Sequence, residues 1–171
     1  ITANEDLAWL IGLIHGDGYI GKRSIEISSI DSEWQTLERA AAIFSDIFGK
    51  DSKISYDSHG GRGIRLRVNS THLVKLFGKI KTPNEPIKIP EFIVSGTRSV
   101  RAAYLAGVMD SDGRIRADGV IEQHTTVYES WASEIRTLLS GLGISSKSRF
   151  QSRHDHRALG YGGQDYWTTN I

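Results

Sequence analysis

The nine residues Leu10-Ile-Gly-Leu-Ile-His-Gly-Asp-Gly18 return 95 positions later as Leu105-Ala-Gly-Val-Met-Asp-Ser-Asp-Gly113. Self-similarity at a fixed separation reads as two copies of one supersecondary unit. The agreement extends outward from the motif. Ile25-Glu26 pairs with Ile121-Glu122, the amphipathic stretch 32–48 with 127–142, and Ser52-Lys53 with Ser146-Lys147. The glycine cluster Gly60-Gly61-Arg62-Gly63 has a counterpart in Gly160-Tyr161-Gly162-Gly163. The small differences in offset fall between elements, as insertions in loops do.

Each unit reads as helix, two strands, helix, two strands, which predicts an α+β protein of two pseudo-twofold αββαββ repeats. Helix 5–16 is apolar almost all round and is expected to be buried on most sides. Stretches 53–57 and 64–68 alternate with the period of a strand. This turns Ile54, Tyr56, Ile64, Leu66 and Val68 inward and Lys53, Ser55, Arg65, Arg67 and Asn69 outward. In the second unit Lys147, Arg149, Gln151 and Arg153 share a face opposite Ser148 and Phe150. The expected division is a first repeat over 1–80, a connector over 81–99 and a second repeat over 100–171, forming one body. The connector holds all three prolines, and Ile87, Ile89, Phe92 and Ile93 are available to dock it on a core. The second unit ends without a counterpart to the closing helix expected over 70–80.

Composition narrows the function classes. A chain of 171 residues has room for one domain or two small halves sharing a core. Hydrophobic residues at 39% and charged ones at 24% suit a folded chain and exclude a disordered one. With no cysteine there is no disulfide, no cysteine-ligated zinc and no thiol nucleophile. The longest apolar run, Leu7 to Ile14 interrupted by Gly12, is too short to span a bilayer, and no signal peptide is visible. The expectation is a cytoplasmic or organellar protein, neither secreted nor bound to membrane. Net charge is only +1, yet residues 53–68 and 147–157 each carry +3 while 31–48 carry −3. One face can therefore be basic in a nearly neutral protein. The sequence has no Gly-x-Ser-x-Gly elbow, no Walker loop and no His-Glu-x-x-His helix, so a small-molecule hydrolase finds no support.

The motif helices carry the chemistry. Ala8, Gly12 and Gly16 are spaced by four, as are Ala103, Gly107 and Ser111, so each helix presents a stripe of small residues on which a partner backbone can approach closely. Stripe against stripe brings Asp17 and Asp112 together at two helix C-termini, each already carrying about half a negative charge. Carboxylates ~5 Å apart repel by ~3 kcal/mol at an effective dielectric of ~20. Stability alone does not select that arrangement. A divalent cation resolves it, and an all-oxygen donor set beside a phosphate suits Mg²⁺, which can activate water and stabilise the leaving oxygen in phosphodiester hydrolysis. For one copy, Asp-Gly reads simply as a helix end with Gly18 or Gly113 as its cap; duplication on matched stripes favours the functional reading. A calcium loop over 110–121 fails because Arg114 and Ile121 stand where ligands are required.

These residues resemble the LAGLIDADG homing endonucleases, whose name spells the nine-residue pattern matched at 10–18 and 105–113. The stretch Lys88-Ile89-Pro90-Glu91-Phe92-Ile93 also resembles the lysine-and-proline block of intein-type members. The resemblance implies a single-chain, monomeric, site-specific endonuclease whose antiparallel sheets form a saddle on double-stranded DNA. Such an enzyme cuts both strands across the minor groove at a long asymmetric target and leaves short 3′ overhangs. It implies catalytic and metal-binding roles for Asp17 and Asp112, with Gly16 and Ser111 in the metal site and Lys88 as the catalytic lysine. Mg²⁺ is the implied ion, Mn²⁺ a substitute, and Ca²⁺ a support for binding without cleavage. His15 replaces the motif's first acid, which Asp110 retains; His15 is expected to cap the carbonyls at its helix end.

Two antiparallel ribbons can enter the major groove, where Arg and Lys pair with guanine and Gln with adenine. The candidates are Lys53, Ser55, Arg65, Arg67, Arg114, Arg116, Lys147, Arg149, Gln151 and Arg153, with Glu26 and Glu122 as cytosine readers. His154 and His156, beside Arg153 and Arg157, suit phosphate contact. The competing reading is a non-cleaving nucleic-acid binder of the same fold, an intron maturase or a transcription regulator. An endonuclease region from an intein and a free-standing intron-encoded enzyme are both open.

Overall fold

The computed structural model describes residues 4–57, 61–152 and 165–171. The first half runs α1 (Glu5–Asp17), β1 (Gly18–Ile20), β2 (Ser24–Ile30), α2 (Trp34–Phe48), β3 (Lys53–Tyr56), β4 (Gly63–Asn69) and α3 (Thr71–Phe77). A short α4 (Glu91–Val94) lies in the connector. The second half runs α5 (Arg98–Asp112), β5 (Arg114–Ile115), β6 (Ile121–Thr126), α6 (Glu129–Gly141), β7 (Lys147–Gln151) and β8 (Tyr166–Asn170). Both sheets are antiparallel and have the same order, β1-β2-β4-β3 and β5-β6-β8-β7. The αββαββ repeat is thus present twice, and α3 has no counterpart among the described residues.

Local chemistry sets the ends of the two motif helices. The Asn4 side chain accepts the Leu7 N–H and Glu5 and Asp6 occupy the first turn, so α1 begins with a satisfied donor and acids at its positive end. Thr97 does the same for α5 through the Val100 N–H. At the other ends Gly18 and Gly113 are caps, as expected, but their backbone is extended, at φ −80° and −81°, and not left-handed. Glycine is needed there for space: a Cβ would lie 2.5 Å from Ile14 O and from Met109 O respectively.

Helix α1 is buried from Leu7 through His15. Trp9, Leu10, Leu13 and Ile14 join Ile25, Ile27, Ile64 and Leu66 from the first sheet, Leu37 and Phe44 from α2, and Tyr104, Val108 and Trp131 from the second half in one core. Ile87 and Ile93 anchor the connector on it, and Ile89 and Phe92 pack against it, as expected. Tyr56 departs from the alternation. It is 61% exposed, with its ring 5.9 Å from that of Trp34. Phe150 is likewise exposed and packs on Trp167 at 5.2 Å. Both lie on the last strand of their sheet, β3 and β7, where no neighbouring strand covers one side. No described helix is long and apolar enough to cross a membrane.

Candidate active site and nucleic-acid face

The axis of the molecule is the crossing of α1 and α5, and glycine sets its closeness. A Cβ on Gly12 would strike Tyr104 O and lie 2.9 Å from Val108 N; one on Gly107 would strike Trp9 O and lie 2.9 Å from the Trp9 carbonyl carbon. The contact is backbone on backbone, as the two small-residue stripes predict. Side-chain bonds between the halves lock it, among them Trp9 Nε1–H donating to Asp110 Oδ2 at 2.7 Å and Ser99 Oγ donating to Glu5 Oε1 at 2.6 Å. Further along, a Cβ on Gly16 would collide with Ser111 Oγ and sit 2.9 Å from Asp112 Oδ2. The crossing therefore carries Asp17 and Asp112 to adjacent positions where the two helices end.

Their electrostatics follow from that position. Burial, then the charge of Asp112, pushes the Asp17 carboxyl up to about 6, with Lys81 opposing and Glu33 adding to the rise. Asp112 is also raised by burial, with Lys81 acting against it. Lys81 is the group that sequence reasoning missed. Its Nζ donates to Ile14 O, His15 O and Gly16 O at 2.9, 2.7 and 2.9 Å, which satisfies three carbonyls at the negative end of α1. Burial brings this amine down to about 8, although Asp112 and Asp17 pull it upward. Lys88, the lysine chosen from the connector block, has an exposed side chain, and its backbone N–H bonds Ile80 O at 3.2 Å. Ile87 beside it is core. The lysine at the carboxylates is Lys81.

His15 does not cap its helix; Lys81 takes that role. The imidazole is buried, with Nδ1 2.9 Å from Tyr104 Oη, and Trp131 Nε1–H donates to the same hydroxyl at 2.9 Å. Tyr104 Oη is thus shared between the indole, which can only donate, and the imidazole Nδ1. Burial, with Lys81 nearby, lowers His15 to about 3, so the ring is neutral.

The donor set fits a hard divalent cation. Two adjacent half-buried carboxylates are disfavoured as anions and are relieved by a positive ion. No group of three or more His, Cys, Asp or Glu side chains with metal-binding spacing occurs among the described residues. The remaining coordination would come from water and phosphate, the pattern Mg²⁺ accepts most readily. Beside the carboxylates, Gly16 O accepts from Lys81 Nζ at 2.9 Å, and Ser111 Oγ lies 3.2 and 3.0 Å from Gly107 O and Val108 O, to which it donates; both oxygens keep a lone pair.

From Asp112 an open groove of about 1000 Å³ runs along the second sheet past Arg114, Arg116, Glu122, Gln151 and Tyr166. In the first sheet Lys53 stands opposite Arg67 and Ser55 opposite Arg65. On β7, Lys147, Arg149 and Gln151 face Asn170, Thr168 and Tyr166, with Gln151 Oε1 accepting the Tyr166 hydroxyl at 2.6 Å. Arg153, His154 and His156 lie outside the described residues. Glu26 and Glu122 do not project outward as free acceptors: each is held among arginines of its own sheet.

A LAGLIDADG-like domain matches residues 4–81 and a homing endonuclease domain matches residues 88–160. Among curated proteins the chain is 30% identical over 145 residues to an A-type ATP synthase component of Methanopyrus kandleri, covering 85% of this chain and 14% of that one. It is 28% identical over 163 residues to a glutamine–fructose-6-phosphate aminotransferase of Methanocaldococcus jannaschii, covering 91% of this chain and 14% of that one. The chain thus spans only about a seventh of the length of either. The fold matches mesophilic variants of the homing endonuclease I-DmoI with a TM-score of 0.70 at 18% identity, over 98% of this chain and 88% of that one. I-DmoI in complex with DNA and Mn matches with 0.69 at 21% identity, over 99% and 90%. Full-length DUF199/WhiA from Thermatoga maritima matches with 0.62 at 14% identity, over 98% and 51%. Doubled motif, doubled sheet order and both domain matches agree: the chain belongs to the LAGLIDADG homing endonuclease family.

Proposed function

We propose that the protein is a site-specific endonuclease that cuts both strands of a long asymmetric DNA duplex by divalent-metal-dependent hydrolysis, leaving short 3′ overhangs. The observation that carries this reading is the pair Asp17 and Asp112, half-buried side by side by a glycine-mediated helix crossing at the head of a groove lined by arginines. A protein selected for stability alone gains nothing from two carboxylates held against their own ionisation at two helix ends. Asp17 and Asp112 hold the cation. When bound there, a divalent ion supplies activation of water and neutralisation of the leaving oxygen. Lys81, fixed by three carbonyls, keeps its ammonium beside the carboxylates and offsets charge developing on the phosphate. The outward residues of both sheets grip the duplex, and their differences between halves make the target asymmetric. Mg²⁺ is the ion we assign, with Mn²⁺ able to replace it. The match to segments of an ATP synthase component and an aminotransferase, two proteins with unrelated names, supports a mobile segment carried within different hosts.

The likeness to DUF199/WhiA supports a second reading, a binder that does not cut. One experiment separates them: recovery of cut fragments from a randomised duplex pool in Mg²⁺, with the Asp17→Asn/Asp112→Asn variant as control. A single long site cut only by the wild type establishes the endonuclease. Recovery of one bound sequence in Ca²⁺ without cutting in Mg²⁺ establishes the binder.

A further inference from the structure

The two sheets contain the same four-charge arrangement built from different strands. In the first, Glu26 on β2 accepts from Arg65 Nη1 at 3.1 Å and Arg67 Nη2 at 2.8 Å, and Arg65 Nη2 reaches Asp57 Oδ1 at 3.0 Å. In the second, Glu122 on β6 accepts from Arg114 Nε and from Arg116 Nη1 at 3.4 Å, and Arg116 Nη2 reaches Asp118 Oδ2 at 2.8 Å. The first uses arginines of β4, the second arginines at and just beyond β5. Glu26 and Glu122 are themselves equivalent in the repeat, and their side chains are only 12% and 7% exposed on faces that otherwise meet solvent.

Each cluster combines two carboxylates with two guanidiniums and is electroneutral. Attraction of a phosphate depends on net positive charge, so neither cluster is built for that. What each provides is direction. Arg65 and Arg116 each have both terminal nitrogens engaged by carboxylates of their own sheet. Among the described residues Arg67 is bonded through Nη2 and Arg114 through Nε, and these are the more exposed pair, at 53% and 72%. A guanidinium fixed at one corner with its outer edge open is the form that pairs with O6 and N7 of guanine, and fixing it beforehand lowers the ordering cost of binding.

Resting on the DNA-recognition reading above, we propose that Glu26 and Glu122 are positioning residues that aim Arg67 and Arg114 at one guanine in each half of the target, with Arg65 and Arg116 as struts. This replaces direct cytosine reading by the two glutamates. The test is selection of bound sites from a randomised duplex pool by the wild type and by Arg67→Ala, Glu26→Gln, Arg114→Ala and Glu122→Gln, with thermal melting of each variant. The expected result is that R67A and E26Q lose preference at the same guanine by about tenfold, leaving other positions intact, and that R114A and E122Q do so at a second guanine in the other half. The double variant E26Q/R67A should lose no more than R67A alone, and Glu26→Asp should restore part of the preference. E26Q altering a base pair that R67A leaves alone, or weakening all sequences uniformly, overturns the clamp while recognition stands. Wild-type protein that enriches no sequence overturns the recognition reading itself. If E26Q fails to fold, the coupling is read instead from a guanine-to-adenine swap at that position against R67A and E26D: a penalty smaller than the wild type's in both, with E26D keeping more of it than R67A, supports the clamp, and a full wild-type penalty in E26D refutes it.

Discussion

Replacing Asp17 by Asn should stabilise the metal-free protein at neutral pH. The side chain keeps its shape and loses the charge that burial and Asp112 penalise. Moving the carboxyl from its ordinary 3.8 to about 6 corresponds to ~3 kcal/mol at most, at 1.36 kcal/mol per pKa unit. Asp17 is only half-buried, so solvent screening reduces this to about 1–2 kcal/mol. For a chain of this size that is roughly 3–6 °C in melting temperature. The sign follows from proton binding. The folded state holds the Asp17 proton more tightly than the unfolded chain, so wild-type stability falls as pH rises from about 4 to 6 and the full penalty stands above that. Neutral buried His15 and His124, lowered to about 3 and about 4, act oppositely: they contribute stability above 6.5 that is lost on acidification. Both proteins share the histidines, so the difference between them isolates Asp17. The assay is thermal unfolding in EDTA from pH 4.5 to 8. A D17N advantage that is present at pH 7.5 and closes by pH 4.5 is expected. An N variant less stable than wild type at pH 7.5, or a gap independent of pH, refutes the assignment of Asp17 as a strained buried carboxylate.

Adding millimolar Mg²⁺ should raise the melting temperature of the wild type and leave D17N/D112N unmoved, because only the native carboxylate pair binds the ion; equal shifts would place binding elsewhere. Lys81→Met should reduce cleavage by at least a hundredfold with DNA affinity changed less than threefold, whereas Lys88→Ala should cut at the wild-type rate, both measured on the selected target. The same Lys81 change should cost about 1–2 kcal/mol of stability in urea, since three helix-end carbonyls lose a charged donor. Gly107→Ala should destabilise by more than about 3 kcal/mol because its methyl meets the Trp9 backbone; a loss below 1 kcal/mol would mean the helices separate readily.

The frame of this molecule was legible because it is written twice. Matching stripes of small residues and matching Asp-Gly ends determined which helices meet and which carboxylates they carry. Lys81 was not legible. It lies 64 residues beyond Asp17, and nothing in the Lys79-Ile80-Lys81 run distinguishes one lysine from another until the chain after α3 folds back across the end of α1. Motif likeness pointed to Lys88, which the fold leaves in solvent. The repeat pairing singled out Glu26 and Glu122 as equivalent positions. It does not say whether a carboxylate there points out or leans sideways to an arginine on the next strand. Tyr56 and Phe150 stand exposed where their strands' alternation places an inward side chain, because burial at a sheet edge depends on what covers the rim.

At the crossing point of α1 and α5, Gly12 and Gly107 meet opposing backbone rather than a side chain that could change rotamer and let the helices slide. The spacing between the two acidic ends is therefore a fixed gauge. If the protein cuts a duplex as proposed, the duplex is the compliant partner, and any adjustment that presents both strands comes from bending or narrowing the DNA, at an energy set by how easily its central steps deform. Base pairs at the centre of the target would then carry a sequence preference that arises from stiffness.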